Sequence, residues 1–151
     1  RFATSGLRLA HLSVNYLLDT NIWLERMLDQ KRAAEVAELL ARIPSDQLCL
    51  TDFTLHSLGV ILHRLKQPQA FVQFVQDVLL DGASYLLTVP PDAMTELVAA
   101  VEQYGLDFDD AYQYVAAKRY DLTFISLDSD FDRTDLDRRS PDEIIRQIAT
   151  D

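Results

Sequence analysis

The chain has 151 residues, a mass of 17.2 kDa and a formal net charge of -10, from 24 Asp+Glu against 14 Lys+Arg. That is the length of one domain, and with 48% hydrophobic residues it can bury a core, which excludes a disordered chain. The single cysteine, Cys49, excludes an internal disulfide framework and a Cys-pair zinc site, and a reducing, cytoplasmic setting is expected.

Residues 1–14 show no sustained period, begin without Met and lack the apolar stretch of a secretory signal. They read as a leader or expression remnant ahead of one domain over residues 15–151. No apolar run approaches the roughly 20 residues that span a bilayer, so no membrane segment is expected. A first strand is predicted at Tyr16-Leu17-Leu18, ending abruptly at Asp19-Thr20-Asn21. Helical spacing follows over residues 22–28 and 31–43, closed by Pro44, and Leu48-Cys49-Leu50 makes a second strand. Thr51 or Asp52 caps a helix with the stripe Leu55, Leu58, Leu62 and Leu65. Gln67-Pro68 breaks it before another helix through Phe71, Phe74, Val75 and Val78, which Asp81-Gly82 stops. A third strand is predicted over residues 85–89, then a helix from Pro90-Pro91-Asp92 to about Tyr104, ended by Gly105. Asp107 or Asp109 opens the next helix, to about Tyr120, and residues 123–127 form a fourth strand released into Asp128-Ser129-Asp130-Phe131-Asp132. Ser140-Pro141-Asp142-Glu143 has the form of a capping box for a last helix to about Ala149.

Short apolar strands alternating with helices imply an α/β fold, a parallel central sheet flanked by helices on both faces. In such sheets the ligand site lies beyond the carboxyl ends of the strands, which places Asp19 and Asp128 on one edge. Asp19 also suits a helix cap, and Thr20 and Asn21 share that ambiguity. Asp109 and Asp110 suit a helix's first turn, but two adjacent acids exceed what capping needs. Asp110, Ala111, Tyr114 and Ala117 share one face, whose small alanines allow close approach to the sheet. The Asp128, Asp130, Asp132 series is not a calcium loop, because Arg133 stands at the sixth position and Arg139 at the twelfth. Asp130 and Asp132 read as solvated or capping, with Asp130 kept as an auxiliary candidate. Converging carboxylates suit a hard cation, Mg²⁺ or Mn²⁺, and the natural task for such a centre is metal-assisted phosphodiester cleavage. An acidic chain offers no broad basic footprint for nucleic acid, but a bound divalent cation reverses the field where it matters.

Leu17-Leu18-Asp19-Thr20-Asn21, then Phe108-Asp109-Asp110-Ala111-Tyr112 with Ala116-Ala117, then Ser126-Leu127-Asp128-Ser129-Asp130-Phe131 resemble the PIN-domain family in order and spacing. The resemblance covers roughly residues 16–132 and implies a Rossmann-like domain with acids at one sheet edge. It also implies a Mg²⁺- or Mn²⁺-dependent ribonuclease, with Asp19, Asp110 and Asp128 as the catalytic and metal-holding acids. Many small members are VapC-type toxins neutralised by a small antitoxin, so RNA as substrate, an antitoxin partner and a homodimer are implied. One departure stands out. The family usually carries a Glu in the helix after the second strand, whereas the best-aligned position here is His56, with Asp52 one turn away and able to substitute. Asp52, His56, Gly59 and His63 share a polar side of that helix, and Asp52 equally suits a cap.

Several residues carry two readings. Trp23 suits base stacking or core packing, and with Met27 it marks the segment 22–43 as a surface for an antitoxin or a second copy. Lys118, Arg119 and Arg64 reach phosphates around the cleft or complement helix ends, while tyrosines 104, 112, 114 and 120 build the helix–sheet interface or a dimer seam. The alternative to a nuclease is a PIN-fold RNA- or protein-binding regulatory module that has lost turnover. An aspartate-nucleophile phosphatase is disfavoured because Asn21 stands where its second acid belongs, and the absence of a Gly-rich phosphate loop excludes P-loop chemistry.

Overall fold

The structure, a computed structural model of the chain, describes residues 15–151 and the backbone of Phe2–Ala3. Five strands, β1 (Phe2–Ala3), β2 (Tyr16–Leu18), β3 (Leu48–Thr51), β4 (Tyr85–Leu87) and β5 (Thr123–Ile125), form one sheet in the order β1-β4-β3-β2-β5. Every pairing is parallel. The leader expected over residues 1–14 lies outside the described residues except at Phe2–Ala3, whose backbone runs beside Leu86 and Leu87. The α-helices are α1 (Thr20–Met27), α2 (Ala33–Arg42), α3 (Asp52–Arg64), α4 (Pro68–Phe74), α5 (Met94–Tyr104), α6 (Phe108–Arg119) and α7 (Pro141–Thr150). Helix α4 runs on into a π-helical turn, Val75–Leu80.

Strand residues alternate between two apolar layers, as the period of two requires. Leu17, Cys49, Tyr85, Leu87 and Phe124 pack against Leu97 and Ala100 of α5 and Ala111 and Val115 of α6. Leu18, Leu48, Leu50 and Ile125 face the other way, onto α1, α2, α3, α4 and α7 through Ile22, Val36, Leu58, Phe74 and Ile144. Both faces of the sheet are thus covered, which is why its strands are apolar at consecutive positions.

Local signals act where expected. Thr51 caps α3 by accepting from Thr54 N at 3.1 Å, Ser140 and Glu143 complete the capping box of α7, and Gly105 ends α5 in the left-handed region at φ 63°. Two strands stop short of their expected ends. Helix α3 begins at Asp52, so Val89 has no ladder partner there and its N–H donates to the Tyr112 hydroxyl at 3.0 Å. Beyond β5 the N–H of Leu127 donates to Asn21 Oδ1 at 3.1 Å.

Trp23 does not belong to a partner surface or a stacking platform. It is 3% exposed and stands edge-on to Phe74, ring centroids 5.3 Å apart, so it is core, and Met27 is half-buried beside it. Its indole N–H is buried without a hydrogen-bond partner among the described residues. Trp23→Ala should therefore cost about 3–5 kcal/mol through the cavity it leaves. Trp23→Phe, which removes an unsatisfied donor along with the extra ring, should cost well under half of that. Urea denaturation of both variants checks the difference, and equal losses would contradict the packing described.

Candidate metal centre

The register that pairs Leu18 with Ile125 continues one residue further, where Asp19 N donates to the Ile125 carbonyl at 2.9 Å. Asp19 is thereby fixed at the carboxyl end of β2 as the N-cap of α1, only 6% exposed. Four donors meet its carboxylate. Thr20 N (2.8 Å) and Gln113 Nε2 (3.0 Å) bond Oδ1, while Ser126 Oγ (2.7 Å) and Asn21 Nδ2 (3.3 Å) bond Oδ2. Burial still pushes Asp19 above the ordinary carboxylate range, and the hydrogen bonds from Gln113, Ser126 and Thr20 work against that rise.

The other acids are less buried and less well paired. Asp110 lies in the first turn of α6, and Asp128 follows β5, its N–H donating to Ser126 Oγ at 3.0 Å and its Oδ1 accepting from Asp130 N at 2.9 Å. One carboxylate oxygen from each of Asp110, Asp128 and Asp130 lies within 4.8 Å of the others. Asp110 is pushed up to about 6, first by burial and then by the charges of Asp128, Asp19, Asp107 and Asp130. An all-oxygen donor set under mutual repulsion fits a hard divalent cation, which would offset the charge that raises Asp110.

Asp19, Asn21, Asp109, Asp110 and Asp128 line one cleft of about 310 Å³. Asp130 joins them through the three-acid group. Asp109 is exposed and sits at the cleft's rim. Asn21 braces the floor, donating to Ser126 Oγ (3.2 Å) as well as to Asp19. Asp52 and His56 are not in this cleft. They line neighbouring grooves with Gly59 and His63 on one side and Phe108 and Tyr112 on the other. Asp52 is engaged there by Tyr112 Oη (2.7 Å), Phe53 N (2.9 Å) and Thr88 Oγ1 (3.4 Å). With α3 starting at Asp52, the residues it turns toward the acids are Phe53, Ser57 and Ile61. The position facing the acids is therefore Ser57 and not His56, one residue and about 100° of helix away.

Three residues near the acids carried weak sequence signals. Asp107 is the backbone N-cap of α6, yet its side chain makes no capping bond, and it lines the cleft. Ser126 is fully buried and connects Asp19, Asn21 and Asp128. Gln113 is fully buried in the middle of α6. An amide within a run of alanine, valine and tyrosine was its only mark. The basic candidates lie elsewhere: Lys118 pairs with Asp135 at 3.0 Å, Arg119 with Asp92 at 3.3 Å, and Arg64 lines the α3–α4 groove.

Fold and cleft together define an α/β protein with an acidic centre at the carboxyl edge of its parallel sheet. The chain belongs to the PIN domain family, whose model matches residues 16–136. No curated protein matches it. Among solved structures it is similar to VapC20 of Mycobacterium tuberculosis, described as a sarcin–ricin-loop-cleaving toxin, with TM-score 0.70 and 16% identity over 81% of this chain and 96% of that one. FitAcB from Neisseria gonorrhoeae gives TM-score 0.69 and 23% identity over 83% and 97% of the two chains. A toxin–antitoxin complex from Klebsiella pneumoniae gives 0.66 and 21% over 84% and 98%. At these identities the likeness establishes the fold. Among the described residues no helix is long and apolar enough to cross a membrane.

The charge cluster has a pH signature. Asp110 titrates near 6 in the folded chain against 3.8 as its ordinary value, so between those values the native state holds more protons than the unfolded one. Its contribution therefore makes the metal-free protein less stable as pH rises through that window, and Asp19 shifts in the same direction. In EDTA, Asp110→Asn should raise Tm at pH 8 by roughly 2–4 °C and change it little at pH 4. Thermal melts at the two pH values read this directly; a variant less stable at pH 8 would show that Asp110 is not under repulsion.

Proposed function

We propose that this chain is a Mg²⁺- or Mn²⁺-dependent endoribonuclease of the PIN/VapC type. The observation that carries the reading is the convergence of Asp110, Asp128 and Asp130 beside the buried Asp19. A divalent cation at such a centre supplies an acidified water and neutralises charge on a scissile phosphodiester. The chain's own residues divide the remaining work. Asp110, Asp128 and Asp130 would offer oxygens to the cation, and Asp19, held in one orientation by its four donors, would add its carboxylate from the floor of the cleft. Phe53, Ile61 and Leu24 give the same cleft an apolar wall against which a substrate can exclude water. A phosphodiester would be repelled by the acids alone, so RNA binding is itself coupled to the cation. A cytoplasmic setting, a small antitoxin partner and a homodimer belong to this reading, and the toxin–antitoxin complex among the structural relatives supports the antitoxin partner.

Ser57 on the helix face toward the acids favours the second reading, a binding module of the same fold without turnover. RNA cleavage separates the two. With Mn²⁺ or Mg²⁺, a panel of structured and single-stranded RNAs should be cut, EDTA should abolish cutting, and Asp19→Asn/Asp128→Asn should lower it by about a hundredfold or more, the scale of a lost several-kcal/mol charge stabilisation. Folded protein that binds RNA without cutting it at any concentration of either ion would establish the binding module. A further consequence concerns the helix rotation. Ser57→Glu should tighten Mn²⁺ binding by about tenfold, by adding a carboxylate to the donor set, whereas His56→Glu should leave it unchanged. Calorimetric titration of the two variants checks this, and the reverse ranking would refute the facing of α3.

A further inference from the structure

We infer that Gln113 is a positioning residue for the metal centre: it holds the Asp19 carboxylate in its working orientation and is itself oriented by Thr51. The inference rests on the reading of the cleft as a divalent-cation centre. Gln113 is fully buried, in a stretch of α6 whose neighbours Tyr114, Val115, Ala116 and Ala117 are core. An amide in such a place costs free energy unless all its hydrogen-bonding groups are met, and an apolar side chain would fill the same space without that demand.

Its groups are met in one arrangement only. Nε2 donates to Asp19 Oδ1 at 3.0 Å and to Thr54 Oγ1 at 2.9 Å, using both N–H bonds. Oε1 accepts from Thr51 Oγ1 at 2.6 Å. The direction of that last bond follows from the cap of α3. Thr51 Oγ1 accepts from Thr54 N at 3.1 Å, and its one proton goes to Gln113 Oε1 at 2.6 Å in preference to Thr54 Oγ1 at 3.4 Å. A carboxylate accepts only, so the amide nitrogen must face Asp19 and the oxygen must face Thr51. Thr54 Oγ1 continues the chain to Thr20 Oγ1 at 2.9 Å. The start of α3, the middle of α6 and the start of α1 are thereby tied to one carboxylate. Removing the amide would leave the Asp19 oxygen nearest α6 with Thr20 N as its remaining donor. Outer partners of this kind typically alter metal affinity by about 10–100-fold when removed.

The test measures Mn²⁺ affinity by titration, with cleavage assayed separately on the same proteins. Gln113→Met keeps the volume and removes the amide; it should bind Mn²⁺ at least about tenfold more weakly than the unaltered chain. Asp19→Asn/Gln113→Met should bind no more weakly than Asp19→Asn alone, because the amide acts only through that carboxylate. A merely structural role would instead lower Tm and add its loss to that of Asp19→Asn. Should Gln113→Met fail to fold, Thr51 decides: Thr51→Val, which cannot orient the amide, should weaken Mn²⁺, and Thr51→Ser, which keeps the hydroxyl, should not. Unchanged Mn²⁺ affinity in Gln113→Met, additive losses in the double variant, or equal behaviour of the two Thr51 variants would each overturn the inference while leaving the nuclease reading of the unaltered chain standing. Mn²⁺ affinity that depends on Gln113 in a protein that cuts no RNA would overturn the nuclease reading alone, and an unaltered chain that binds no Mn²⁺ would overturn both.

Discussion

A carboxylate cannot be buried at the end of a strand unless donors converge on it, and the structure around the cleft is arranged to meet that demand at Asp19. The four donors come from the start of α1, from α6 and from the residue after β5. They converge only because β2 lies beside β5 in the register Leu18 to Ile125, which sets Ser126 next to Asp19. A slip of one residue would exchange Leu17 with Leu18 between the two apolar layers and separate Asp19 from Ser126. Core packing and the site floor therefore impose the same register.

Asp110, Asp128 and Asp130 are held differently. Their repulsion is offset in part by the N-terminus of α6, whose unpaired N–H groups favour acids in its first turn, and in part by exposure to solvent. Burial, together with what remains of that repulsion, holds Asp110 up to about 6. Stability for this arrangement comes from elsewhere, chiefly the two apolar layers on the sheet. The centre thus joins a rigid, hydrogen-bonded floor to a half-exposed rim whose charge is unbalanced until a cation arrives, and this is the division that metal binding requires.

Much of this was legible in the sequence because the signals are local. Apolar runs ending at Asp19 and ahead of Asp128, the capping box at Ser140 and the stop at Gly105 each act within a few residues, and each appears in the fold. The strand ends at Val89 and Leu127 were not legible, because what terminates them is a side chain distant in sequence, Tyr112 in one case and Asn21 in the other. Trp23 is ambiguous in a short helix until Phe74 is placed against it. The facing of α3 was lost for a related reason. His56 is the best-aligned position against the family pattern, and a shift of one residue turns a helix by about 100°, enough to exchange His56 for Ser57. Gln113 was invisible because helical periodicity separates apolar from polar faces and says nothing of an amide whose partners lie 59, 62 and 94 residues away.

The one α3 carboxylate, Asp52, lines neighbouring grooves, which leaves the cleft one-sided. Its acids come from the end of β2, the first turn of α6 with its N-cap, and the turn after β5, while α3 presents Phe53, Ser57 and Ile61. For a cation that requires a full protein cage this would be a severe loss. Mg²⁺ is not such a cation: it dehydrates reluctantly, keeps several waters and is commonly held by one or two carboxylates together with substrate phosphate. Under the proposed nuclease reading, a cation held by so few carboxylates would leave room in the cleft for a substrate phosphate beside the apolar lining of Leu24, Phe53 and Ile61. The cost falls on affinity in the absence of substrate, and the orientation of the remaining acids matters correspondingly more. That places the weight of the centre on the donors that hold Asp19 still.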